Sequence, residues 1–141
     1  MLPPRALFLG SCPPRECGIA TFTKDTVDSY NRAFGVTSQV VAIDEPGGEM
    51  RRYGPEVVAR LAEQDRYSYA DIARFVNRHP ADLLNVQHEY GLFGGERGEW
   101  LGNASRAAIL NSRRPPVVGQ LIGYGDPTSD GWAFRTPINT L

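Results

Sequence analysis

The chain has 141 residues, the length of one ordinary domain, and its 41% hydrophobic and 22% charged residues mark a folded protein rather than a disordered one. A formal net charge of -1 gives no electrostatic footprint for nucleic acid; the longest basic runs, Arg51-Arg52 and Arg113-Arg114, read as solvated surface. No apolar run approaches the ~20 residues of a membrane-spanning helix. Met1-Leu2-Pro3-Pro4-Arg5 lacks the charged start and apolar centre of a signal peptide, so a cytoplasmic location is expected. Cys12 and Cys17 are the only cysteines, too few for a disulfide framework.

In chain order, Ala6-Leu7-Phe8-Leu9-Gly10 is a short apolar run ending in glycine and reads as a buried strand. Ser11 to Gly18 contains two prolines and reads as a loop. From about Thr21 the pattern is helical: Phe22, Val27, Tyr30, Ala33 and Phe34 can share a face, and Gly35 is a plausible stop. Gln39 to Ile43 is β-branched and predicts a second strand. Asp44 to Gly54 reads as a long loop. Pro55 to Glu63 is ambiguous, since Val57-Val58 suits a strand and Ala59 to Glu63 suits a helix. Tyr67 to His79 predicts a helix with Tyr69, Ile72, Ala73 and Val76 at helical spacing, ended by Pro80.

Leu83 to Gln87 predicts a third strand, Glu89 to Gly98 a glycine-rich loop, and Glu99 to Leu110 a third helix; Pro116-Val117-Val118 opens a fourth strand. Strands alternating with helices imply an α/β, Rossmann-like three-layer sandwich with a mostly parallel sheet.

In such open sheets, ligands bind beyond the carboxyl ends of the strands. Two loops fall at that edge. The first ends in Gly18-Ile19-Ala20-Thr21, where a glycine before a helix lets a ligand approach the backbone and the helix N-terminus favours anionic groups. It is not the dinucleotide fingerprint, because Gly10 and Gly18 are too far apart and two prolines intervene; a plain turn glycine is the competing explanation. The second is Gln87-His88-Glu89-Tyr90-Gly91-Leu92-Phe93-Gly94-Gly95-Glu96. His88 can hydrogen-bond a sugar hydroxyl or take its proton, because imidazole titrates near neutrality. Glu89 or Glu96 can orient that ring or bind hydroxyls, and the glycines permit close approach. The competing explanation is a satisfied histidine at a strand end. Cys12, Cys17, His79 and His88 have neither the spacing nor the pairing of a metal motif, and no metal is expected. No G-x-S-x-G elbow supports a hydrolase.

Three stretches together carry a resemblance: Cys12 to Thr23, Val41-Ala42-Ile43-Asp44, and Val86 to Glu96. They resemble the N-terminal domain of bacterial glycosyltransferase family 4 proteins of GT-B fold, over roughly Arg5 to Glu99. The resemblance implies two Rossmann-like domains facing across a cleft, with retaining transfer of a sugar from a nucleotide-sugar donor to an acceptor and no metal or cofactor. The N-terminal domain holds the acceptor, and the C-terminal domain grips the donor. Gly18 matches the glycine of the family's first loop, near the donor phosphates, with Ile19 beside it. His88 matches the histidine facing the transferred sugar, followed by Glu89. Gly94, Gly95 and Glu96 match the end of the motif.

From Gly119 to Leu141 the chain departs from that pattern, so residues 5–118 are expected to form the acceptor-side domain and residues 119–141 an irregular tail. A frameshifted or truncated gene would explain it, since codons for Gly125 to Ser129, read one base later, can spell the family's Val-Thr-Leu-His. The expected activity is therefore that of half an enzyme, inactive alone or completed by a partner chain that supplies the donor domain. The alternatives are a non-catalytic Rossmann-like module that binds a sugar or phosphate, and an interaction or regulatory domain.

Overall fold

The computed structural model describes residues 2–47, 50–88, 92–96, 98–101 and 117–121, with only the backbone described at residue 88 and residues 117–121. The fold is α/β and Rossmann-like. Five strands form one all-parallel sheet in the order β3-β2-β1-β4-β5. They are β1 (Ala6–Gly10), β2 (Gln39–Asp44), β3 (Val57–Ala62), β4 (Leu83–His88) and β5 (Val117–Leu121). The helices α1 (Gly18–Phe34) and α2 (Arg66–Arg78) lie between them in the chain.

β1 is buried along its whole length, so both of its faces need cover. Side chains alternate between faces along a strand. Ala6 and Phe8 join Val40 and Ala42 of β2 in one cluster, under Val27 and Tyr30 of α1. Leu7 and Leu9 join Val41 and Ile43 in the other, under Tyr69, Ile72 and Val76 of α2. The two helices thus cover opposite faces and make three layers. Each fully buried aliphatic side chain contributes roughly 1.5–3 kcal/mol of transfer free energy.

α1 starts at Gly18, three residues earlier than its periodicity suggests. Cys17 is its N-cap: the sulfur accepts the Ala20 N–H at 3.4 Å and the carbonyl accepts that of Thr21 at 3.3 Å. The buried stripe is Ile19, Ala20, Thr23 and Val27, whereas Phe22, Ala33 and Phe34 are exposed. The expected apolar face was therefore rotated, because Thr23 takes a core position that its polarity disguises. Gly35 ends the helix as expected, in the left-handed conformation at φ 63°. In α2 the buried residues are the four expected ones, Tyr69, Ile72, Ala73 and Val76, and Asp65 caps the first turn through Tyr67 N–H at 2.9 Å.

The ambiguous segment after Pro55 is a strand. β3 pairs parallel with β2, with a register irregularity between Val40 and Val41, and no helix intervenes among the described residues of their connection. Residues 99–101 are helical; the rest of the helix expected to Leu110 lies outside the described residues. β5 runs through Gly119 to Leu121, so the boundary drawn at Gly119 falls inside a strand. Residues 122–141 of the expected tail lie outside the described residues. Among the described residues no helix is long and apolar enough to cross a membrane.

At the amino edge, Arg5 clamps the start of β4: its N–H and guanidinium bond the Asp82 carboxylate at 2.7–3.1 Å, while its carbonyl accepts the Asp82 N–H at 2.8 Å. Nearby, His79 Nδ1 accepts the Ala81 N–H at 3.1 Å, which leaves Nε2–H to donate to Gln39 Oε1 at 2.6 Å. This arrangement needs a neutral ring, and burial together with Arg5 holds the His79 pKa below its ordinary value.

Two outcomes are expected. A Cβ at Gly10 would stand 2.8 Å from Thr23 Oγ1 and 2.9 Å from Gln87 Cβ. Gly10→Ala should therefore cost about 1–3 kcal/mol of overpacking, read from urea denaturation. For His79, the unfolded ring takes its proton near pH ~6.5 and the folded ring only below that. Stability should be complete above about pH 6.5 and fall as the pH drops further. Denaturation midpoints across that range should fall less in His79→Gln than in the wild type.

Candidate functional site

The strand order fixes where a ligand can enter. From β1 the chain builds outward through β2 to β3, then returns to the other side of β1 with β4. β1 and β4 therefore flank the topological switch point, and their carboxyl ends open the crevice used by folds of this kind. Their register pairs Leu9 with Val86; continued by one and two residues, it sets Gly10 beside Gln87 and Ser11 level with His88.

Of the expected residues, Gly18 and His88 come to this crevice, at the N-terminus of α1 and the carboxyl end of β4. Gly18 is exposed, and nothing lies within 4 Å of the position a Cβ would take. Its φ is not positive. Neither packing nor backbone conformation demands glycine there, and its smallness leaves the first helical turn uncovered. Cys17 satisfies Ala20 and Thr21, but the N–H groups of Gly18 and Ile19 have no protein partner among the described residues. Ile19 contributes only this backbone, since its side chain is buried in the core.

Ser11 adds a feature that sequence reasoning missed. It is fully buried just past β1, and its Oγ has no hydrogen-bond partner among the described residues. Thr23 Oγ1 is in the same condition one layer below, against Gly10. Buried hydroxyls are rarely left unpaired, so this side of the crevice has unused hydrogen-bonding capacity.

The loop after β4 divides. Glu89 lies outside the described residues. Gly94 is buried, and a Cβ there would stand 2.2 Å from Glu63 O and 2.4 Å from the Trp100 ring. Its N–H donates to Tyr69 Oη at 2.6 Å, and the phenol donates in turn to Glu63 O at 2.8 Å. The peptide of Gly94 is thus committed to a relay joining α2, the end of β3 and this loop. Burial pushes the Tyr69 phenol up to about 12, which keeps it a donor across the physiological range. Gly95 has φ 95°, a left-handed backbone that favours glycine. Glu96 is exposed on the same loop.

Toward β2 and β3 the same edge is filled by ion pairs. Arg15 Nε lies 2.7 Å from Glu45 Oε2, and Arg15 Nη1 lies 3.8 Å from Glu63 Oε2 and 3.4 Å from Ile43 O. Arg51 bonds the other Glu45 oxygen. Asp44 takes the Tyr53 hydroxyl and Arg60 Nε. Arg51 is therefore half-buried in this network, not the freely solvated residue expected from its run with Arg52. Arg113 and Arg114 lie outside the described residues. The Arg51 and Arg15 guanidinium groups hold the Glu45 carboxyl below the usual range, against the opposing effect of its burial.

A dinucleotide-binding fold keeps a free carboxylate at the end of its second strand for ribose hydroxyls. Here both carboxylates at that place are bound to arginine. Cys12, Cys17 and the backbone of His88 belong to the carboxyl edge and His79 to the amino edge, so the four residues considered for a metal do not all converge. Burial raises the Cys12 thiol to about 12, with Glu56 and Asp44 adding to the effect, which marks it as an unreactive loop thiol.

Comparison of the chain with protein-family models, with curated proteins and with solved structures gives no match in any of the three.

The relay makes a direct test possible. Tyr69→Phe leaves Gly94 N–H and Glu63 O without their shared partner and should cost about 1–3 kcal/mol. Faster amide exchange at Gly94, with α1 and β1 unchanged, is the expected signature.

Proposed function

We propose that this chain is the acceptor-side half of a retaining glycosyltransferase of the family 4, GT-B type, acting on a nucleotide-sugar donor held mainly by a second domain. The reading rests on the resemblance of the two loop motifs, and one observation carries it further. The carboxyl ends of β1 and β4 carry the uncovered first turn of α1 at Gly18 and the strand end at His88, with the buried Ser11 hydroxyl, unpartnered among the described residues, beneath them. The helix turn supplies N–H donors for phosphate or sugar oxygens, and His88 is a titratable residue at the neighbouring strand end. On this reading His88 faces the transferred sugar, Gly18 and Ile19 offer backbone N–H groups, and Glu89, Gly94, Gly95 and Glu96 belong to the substrate-binding motif. Gly94 acts there by letting the loop seat on Tyr69 rather than by touching the ligand.

Transfer needs both donor positioning and charge stabilisation, and on this reading the second domain supplies the donor side. The isolated chain is accordingly expected to bind and not to turn over. A second reading is a non-catalytic interaction module, for which the exposed Met50 and Tyr67, at 86% and 82%, would be candidate contact residues.

The test is to incubate the folded chain with a panel of nucleotide sugars and generic acceptors while recording backbone amide resonances and nucleotide release. Shifts at Gly18, Ser11 and His88 without release are the expected result. Absence of shifts at the crevice with every compound would favour the interaction module. Release that disappears in His88→Ala would show that the chain is catalytically complete, contrary to the half-enzyme reading.

A further inference from the structure

The β2 side of the carboxyl edge holds an arrangement that the glycosyltransferase reading does not use. Arg15 comes from the loop after β1 and Arg51 from the β2–β3 connection, and both converge on Glu45, just past β2. Each guanidinium takes one oxygen of that carboxylate. The two arginine side chains are only 16% and 17% exposed. Arg51 Nη1 is buried and has no hydrogen-bond partner among the described residues. Glu63 relieves Arg15 alone, at 3.8 Å. Asp44 is hydrogen-bonded by Tyr53 and Arg60, and it makes no hydrogen bond to Arg51.

Arg51 Nη1 therefore has no acceptor among the described residues, although Nη2 is held by Glu45. A buried charged donor without one is costly, and such a group in a folded protein calls for an explanation. A carboxylate has two oxygens and one charge. A phosphate group offers three oxygens and up to two charges, and guanidinium forks match it in shape. Glu45, with a side chain 32% exposed, has solvent to swing into.

We propose that Arg15 and Arg51 form a binding site for a phosphate group, which the Glu45 carboxylate fills in the free chain. On binding, phosphate displaces Glu45 toward solvent, takes its two contacts and gives a third oxygen to Arg51 Nη1. No covalent step is involved. The site lies on the β2 side of β1, apart from the β1–β4 crevice, and stands or falls independently of the glycosyltransferase reading.

The test titrates inorganic phosphate and, separately, glucose 1-phosphate into the intact chain by calorimetry, with the arginine Nε resonances as the local reporter. Glu45→Gln removes the internal competitor, and binding should tighten by about tenfold or more over wild type. Adding Arg51→Ala to that variant should abolish it, with circular dichroism showing both proteins folded. Tighter binding of glucose 1-phosphate than of inorganic phosphate would assign the site to a sugar phosphate, and equal binding to the phosphate group alone. Binding no tighter in Glu45→Gln, or binding that survives the loss of Arg51, would overturn the proposal. Should Glu45→Gln fail to fold, wild type is compared with Arg51→Lys: phosphate should raise the melting temperature of the first and not the second, and an equal rise in both counts against the site.

Discussion

Burial of β1 on both faces is the constraint from which the rest of the architecture follows. A strand with no exposed residue needs two covering layers and two hydrogen-bonded neighbours. α1 and α2 supply the layers, and β2 and β4 supply the neighbours. Placing β2 on one side and β4 on the other creates the switch point. The close approach at Gly10 then follows, because Thr23 of α1 and Gln87 of β4 meet over the last residue of β1. The central strand thus decides both where the core is and where the surface opens.

The carboxyl edge is consequently unequal along its length. Toward β3 it is sealed: three arginines and three carboxylates pair there, and the Tyr69 phenol ties the loop after β4 to Glu63. Toward β4 the N–H groups of Gly18 and Ile19 and the buried Ser11 hydroxyl have no partner among the described residues. The first turn of α1 is exposed at Gly18, whereas a ligand on the β3 side must first displace a charge.

Part of the candidate site could be read from residues in order. His88 at a strand end and Gly18 at a helix start are local facts, and both fall at the switch point. Gly94 shows the limit of that reasoning. A glycine in a glycine-rich loop suggests access for a ligand, yet its lack of a side chain serves the contact with Glu63 O and Trp100. Ser11 gave no signal, because a serine after a strand is ordinary until its surroundings are known. Arg15 and Arg51 were equally silent: their common partner Glu45 lies in a third segment, and no spacing rule joins them.

What the sequence by itself determined is the local half of the molecule. β1, β2 and β4, the buried stripe of α2 and the stop at Gly35 follow from period, β-branching and glycine's freedom at positive φ, all properties of neighbouring residues. Only the tertiary structure decided that the segment after Pro55 is a strand, since an edge position beside β2 suits Val57-Val58 and outweighs the helical preference of Ala59 to Glu63. It also decided which face of α1 is buried, because Thr23 is accepted into the core by its fit against Gly10 and not by its polarity. Strand order, the sealed part of the edge, and the relay through Tyr69 all depend on residues distant in the chain. Their energies exist only once the sheet has assembled, which is why no local pattern announces them.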